Sequence, residues 1–324
     1  MLNSSIRSRL ENIKDLPTIP FVMNEILHSV DNENVRASQL ASLIERDQAL
    51  TARVLRVANS PFYGFTRKIS TIELAIVLLG LNTIKEIVLS LVLQKFYNKL
   101  RRSVINTKDF WSYSVFCGAC SRFLARKTQY RLAGEAFVAG LMHDIGILIM
   151  SEHFAQEFLM VKIATVKHKM SMLEAERAIL SCTHAEIGAW FAEKWNLPQS
   201  LYNAIRYHHS SYEQVKANLE KMKILQEITK KRKLKIENIS TDPDQPVTRI
   251  VALAEWFAVE LGYRNWIDEP HESYLYEADT LLDELCEREV LNPSSVIKVY
   301  KDEIMEEYKK ASVFSQMATT SLYK

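Results

Sequence analysis

The stretch Ile69 to Leu89, ISTIELAIVLLGLNTIKEIVL, decides the fold. Thr71 stands before the apolar run IELAIVLL as a helix-capping residue, and Gly80 closes that run as a left-handed stop. The most apolar window of the chain runs from Leu74 to Leu93, yet Gly80, Asn82, Lys85 and Glu86 interrupt it near its centre. Each charge there would cost about 2.5 to 3.5 kcal/mol in a bilayer. The segment therefore reads as two core helices, not as a membrane span.

Helical periodicity extends in both directions from this stretch. Met23, Ile26, Leu27 and Val30 recur at i, i+3, i+4 and i+7, as do Leu50, Val54, Val57 and Ala58. Ile297, Tyr300, Ile304 and Tyr308 stripe a last helix that can dock. Strand alternation of comparable length is absent. Eight glycines and eight prolines in 324 residues leave few tight turns for a many-stranded sheet. The expected class is all-α, with on the order of a dozen helices.

The best-defined start signal is Thr183-His184-Ala185-Glu186, a capping box that puts His184 on the first turn of a helix running to Trp195. Pro20 and Pro198 sit where a first turn tolerates a missing N–H. After His209 the chain turns polar and lysine-rich, and ENISTDPDQP supplies a loop, so a boundary is expected near residue 212.

Charge and cysteines narrow the function classes. A net charge of +2 gives no nucleic-acid footprint. The Lys230 to Lys233 run has no interleaved aromatics and reads as a solvated helix end. The N-terminus has no apolar signal core, and Cys117, Cys120, Cys182 and Cys286 are scattered, which suits a cytoplasmic chain with free thiols. Cys117 and Cys120 read as two small buried thiols.

Chemistry concentrates in His143-Asp144, His184, His208-His209 and Glu255. Imidazole and carboxylate together suit a divalent ion, whether iron, manganese, zinc or magnesium, and such an ion can promote phosphoester hydrolysis. Adjacent His and Asp side chains diverge by about 100° on a regular helix. Both reach one ion only near a helix end, which Gly140 and Gly146 permit. Each residue also has an ordinary role: His208 and His209 can stabilise a helix C-terminus, and Glu255 can be a paired acid.

Several segments together resemble the HDOD domain, a relative of the HD and HD-GYP phosphohydrolases of bacterial signalling proteins. They are LPTIP at Leu16 to Pro20, LIERDQALTARVLRVANSPFYG at Leu43 to Gly64, the opening stretch at Ile69 to Leu89, DFW at Asp109 to Trp111, EAFVAGLMHDIG at Glu135 to Gly146, CTHAEIGAWFAEKWNLP at Cys182 to Pro198, and AIRYHH at Ala204 to His209. The resemblance implies an N-terminal helical bundle over about 13–105 packed on an HD-like bundle over about 106–212. Residues 213–324 are then expected to form a helical extension packing on the HD-like part.

The resemblance also marks departures. Tyr113 stands where active HD-GYP relatives have a ligand histidine, Glu255 where they have an aspartate, and Ile147 where they have a lysine. Metal would then rest on His143, Asp144, His184, His208, His209 and Glu255, with Tyr113 and Ile147 in the pocket.

The expected function is a non-catalytic signal-transduction module with a degenerate metal site, and the alternative is a metal-dependent phosphohydrolase acting on a nucleotide or cyclic dinucleotide. The expected partner is another regulatory protein or a second copy of the chain, with neither membrane nor nucleic acid. Asn59, Phe62 and Tyr63 in NSPFYG mark a candidate interaction surface, although the rings could instead plug the core between two helices.

Overall fold

The computed structural model describes residues 4–13, 25–26, 37–60, 63–97, 104–209, 246–263 and 293–319. Every regular element among them is a helix, and no strand occurs among the described residues. In chain order these are α1 (Ser4–Glu11), α2 (Ala37–Glu45), α3 (Gln48–Ala58), α4 (Ile72–Leu79), α5 (Leu81–Tyr97), α6 (Thr107–Lys127), α7 (Ala133–Met142), α8 (Ile145–His153), α9 (Ala155–His168), α10 (Met172–Leu180), α11 (His184–Lys194), α12 (Gln199–Tyr207), α13 (Pro246–Glu260) and α14 (Pro293–Thr319). The Pro20 start, the boundary near residue 212, the Lys230 to Lys233 run, Cys286 and three of the four stripe residues around Ile26 lie outside the described residues.

The opening stretch folds as its punctuation dictates. Thr71 accepts the Leu74 N–H, Gly80 takes φ +86°, and α4 and α5 meet at 118°. Only glycine adopts that φ without strain. The stripe Leu50, Val54, Val57 and Ala58 is buried along α3, and Tyr300 and Ile304 of α14 are buried as well. Cys117, Cys120 and Cys182 are free and buried. Ala133–His153 is long and apolar enough to cross a membrane, at mean hydropathy 1.4, but 89% of it is buried inside the protein and it breaks between α7 and α8.

Helices α2 to α5 pack on one another, and α6 is the axis of the rest, contacting α7, α13 and α14 along its length. Almost all of α6 from Phe110 to Ala125 is buried. Its far half carries a charged centre: Arg122 donates to Glu86 of α5 and, at 2.9 Å, to Glu307 of α14. Arg126 and Lys310 bond the other Glu307 oxygen at 3.2 and 3.4 Å. One guanidinium fork between two carboxylates thus ties α5, α6 and α14 together.

Candidate metal centre

The near half of α6 presents Tyr113 to a second buried polar centre. His143 is the C-cap of α7 and Asp144 the N-cap of α8, so the pair sits at the break between two helices. That break lets both side chains turn to one point. His184 opens α11 under its capping box, in which Thr183 accepts the Glu186 N–H and Glu186 accepts the Thr183 N–H. His208 caps the end of α12, His209 follows it, and Glu255 comes from α13. The structure brings all seven residues together. Asp144 is the most exposed of Tyr113, His143, Asp144, His184, His208 and Glu255, at 2%.

Three histidines are oriented from behind. His143 Nδ1 faces the Gly140 carbonyl at 2.8 Å, His208 Nδ1 the Ile205 carbonyl at 2.9 Å, and His184 Nδ1 the Glu176 carboxylate at 2.8 and 2.9 Å. Each Nδ1 must donate to these acceptors, which turns each Nε2 inward, as a lone pair when the ring is neutral. His184 Nε2 lies 3.0 Å from His209 Nε2, 3.4 Å from His208 Nε2 and 3.2 Å from Asp144 Oδ1. In the neutral tautomer these are acceptors facing acceptors. With the rings in that tautomer Asp144 Oδ1 is buried without a donor, and it gains one only when His184 or His208 carries a second proton.

Such an arrangement needs a positive charge at its centre, either extra protons or a cation. One set of donor atoms, from Asp144, His184, His208 and His209, lies within 4.8 Å of one another, and so does a second set from His143, His208 and Glu255. Imidazole nitrogens with carboxylate oxygens, held by outer acceptors, fit a divalent ion.

Protonation follows the same geometry. Burial drives the Asp144 carboxyl up, but His143 and the bonds from His143, His184 and His208 outweigh it and hold the group well below the usual carboxylate range. Burial works to lower His184, yet Glu176 and Asp144 hold it well above an ordinary histidine. His143 is likewise raised by Asp144 against burial, whereas burial keeps His208 low.

Tyr113 closes the centre. Its hydroxyl lies 3.1 Å from His143 Nε2, 2.9 Å from Asp144 Oδ2 and 3.3 Å from Glu255 Oε1. Ile147 is fully buried in the first turn of α8. Of the residues read as an interaction surface, Phe62 lies outside the described residues. Asn59 bonds inward, donating to the Leu55 and Ile69 carbonyls at 2.7 and 2.8 Å and accepting the Ile69 N–H at 2.7 Å. Tyr63 is half-buried against the core.

Sequence reasoning missed Glu176, the carboxylate behind His184, which also accepts the His184 N–H at 3.0 Å. Its signal was its spacing, since Met172, Glu176 and Leu180 share one buried face of α10. It also missed the pairing of Gly146 with Gly188. A Cβ on Gly146 would stand 1.9 Å from the His184 carbonyl oxygen and 2.8 Å from the Gly188 nitrogen. The α8 and α11 backbones therefore touch directly beside the cluster.

An all-helical bundle with histidines and an aspartate converging at helix ends defines the HD class of site. The HDOD domain signature matches residues 16–211, and the chain belongs to the HDOD family. Among solved structures, it resembles an HDOD domain protein of unknown function from Geobacter sulfurreducens (TM-score 0.72, 21% identity, 95% of this chain and 99% of that one). It also resembles a Marinobacter aquaeolei VT8 protein carrying a signal-transduction name (0.67, 20%, 97% and 65%) and a Shewanella amazonensis SB2B protein carrying a phosphohydrolase name (0.64, 19%, 96% and 98%). At such identities the likeness shows the fold.

Two curated relatives are uncharacterized proteins. One from Treponema pallidum is 26% identical over 210 residues, and YuxH of Bacillus subtilis is 28% identical over 138. The matched regions span 40% and 33% of their lengths.

Proposed function

We propose that the chain is a non-catalytic HDOD regulatory protein that acts through protein contacts and keeps a degenerate HD-type metal centre as part of its core. The observation that carries this reading is the Tyr113 hydroxyl, bonded to His143, Asp144 and Glu255 at a point sealed from solvent. A phosphoryl group has to come within about 3 Å of a nucleophile and of the groups that stabilise its charge. Here a phenol ring fills that space, and buried Ile147 offers no cation to a developing phosphoryl charge.

A divalent ion, when bound, would supply Lewis acidity and balance the inward-facing lone pairs. Asp144, His184, His208 and His209 would hold it, with Glu255 and His143 beside them. Glu176 and the Gly140 and Ile205 carbonyls keep the imidazole protons on the outer nitrogens. Tyr113 orders Asp144 and Glu255 by donating to a carboxylate. These roles stabilise and shape the interface between α6, α7, α8, α11, α12 and α13, and none requires turnover.

The second reading, a metal-dependent phosphohydrolase acting on a nucleotide or cyclic dinucleotide, draws support from the convergent Nε2 atoms. Purified protein with added iron or manganese is assayed on bis(4-nitrophenyl) phosphate and on cyclic di-GMP. The proposal expects no turnover above buffer with metal. Hydrolysis abolished by His143→Ala would establish the second reading in its place.

A further inference from the structure

Helix α9 is apolar on two faces, and among the described residues only one of them is covered. Its inner face buries Phe158, Val161, Ala164 and Thr165. Its outer face carries Leu159, Met160, Ile163 and Val166 at 52%, 55%, 42% and 42% exposure. A run of large apolar side chains on the outer face of a helix marks a contact surface. Leu159, Ile163 and Val166 recur at i, i+4 and i+7, the spacing with which one helix anchors on another.

The borders of this stripe share one sign. On a helical wheel Lys162 falls about 60° to one side of Leu159 and Lys167 about 80° to the other. Lys169, the left-handed C-cap, and His168 continue the basic end. Lys162, Lys167 and Lys169 make no ion pair among the described residues, while Glu157, the one acid of the helix, is paired with Arg9 at 2.8 Å. Pairing α9 with a second copy of itself would set lysines against lysines, which opposes self-association. The exposed stripe holds no Trp, Tyr or Phe, residues that membrane-surface helices use on their apolar face.

We propose that the outer face of α9 is a docking surface for an amphipathic helix of a partner protein whose apolar stripe is bordered by acidic residues. This inference rests on the reading that the chain acts through protein contacts, and it gives those contacts a place and a chemistry. None of Leu159, Lys162, Ile163 and Lys167 belongs to the metal-centre residues, so failure of either test leaves the other result readable.

The full chain is titrated with a synthetic amphipathic helical peptide bearing leucines on one stripe and glutamates on both borders, and with its lysine-bordered counterpart. The expected result is binding of the acidic peptide at least about tenfold tighter than the basic one, a difference that a few facing charges supply. Amide exchange slows on α9 in the complex. Ile163→Asp weakens binding about tenfold or more. Lys162→Glu with Lys167→Glu reverses the preference toward the basic peptide. Leu159→Ser replaces Ile163→Asp should that variant lower the melting temperature.

Equal binding of the two peptides would overturn the proposal. So would binding to phosphatidylserine vesicles without peptide preference, or a concentration-dependent dimer dissolved by Ile163→Asp.

Discussion

Both buried polar centres hang on α6, Arg122 in one and Tyr113 in the other, but they are built on opposite plans. Around Arg122 each guanidinium nitrogen meets a carboxylate, so that one fork bridges Glu86 and Glu307, and Arg126 and Lys310 add to the latter. Around Tyr113, imidazole Nε2 atoms face one another and crowd Asp144 Oδ1, which has no donor while those rings are neutral. The first centre is complete as it stands. The second is complete only with a cation or extra protons, and that difference separates a structural tie from a candidate cation site better than burial or residue type does.

The contrast breaks most sharply at Arg122. Arg122→Met leaves Glu86 and Glu307 without their main partner and should cost about 3 to 5 kcal/mol, read by urea unfolding. A loss below about 1 kcal/mol would mean the carboxylates reach water and the first centre is not closed.

Metal gives the next largest effect and should touch only the second centre. Saturating manganese or zinc at about 100 times its dissociation constant should raise unfolding free energy by about 2.7 kcal/mol. Asp144→Asn should abolish that gain, and Arg122→Met should retain it. A gain that survives Asp144→Asn places the ion elsewhere.

Tyr113→Phe keeps the ring and removes the hydroxyl that joins His143, Asp144 and Glu255. Losing such a buried bond should cost about 1 to 3 kcal/mol in chelator-treated protein. Tyr113→His should instead raise the metal content per chain, measured by elemental analysis. An unchanged content would show that the cavity's shape, not the phenol, limits occupancy.

The smallest effect is one of pH and belongs to the first centre. Burial raises the Glu307 carboxyl, but Arg122, Arg126 and Lys310 outweigh it and leave it below its ordinary value. Its stabilisation is present above the unfolded glutamate pKa of about 4.3 and is lost as pH falls through the lower folded value. Glu86 is raised, chiefly by burial, so its ionised form costs stability as pH rises. Glu307→Gln should therefore flatten the acid limb of the melting-temperature profile. An acid limb as steep as that of the parent would assign it to other carboxylates.

What the sequence made legible was local. Thr71 and Gly80 act within one turn of where they stand, and so does the Thr183 box, so punctuation alone placed α4, α5 and the first turn of α11. The meeting of His143, Asp144, His184, His208 and His209 was an expectation from family resemblance, since spacing says nothing about convergence across four helices. Glu176 behind His184, and Arg122 between Glu86 and Glu307, depend on which helix faces which. Nothing within a turn of those residues encodes that choice. The outer stripe of α9 is a different case, because its residues are visible in sequence while its exposure is known only once the other helices are in place.

The contact of α8 with α11 sets a gauge. With Gly146 and Gly188 at the crossing, two absent methyl groups set how near the Asp144 corner comes to the first turn of α11. An added Cβ at Gly146 has no free space, so the helices would have to part. Every donor atom would survive such a change, yet the 3.2 Å approach of His184 to Asp144 would widen. The calibration of the centre therefore resides in two residues that offer it no ligand.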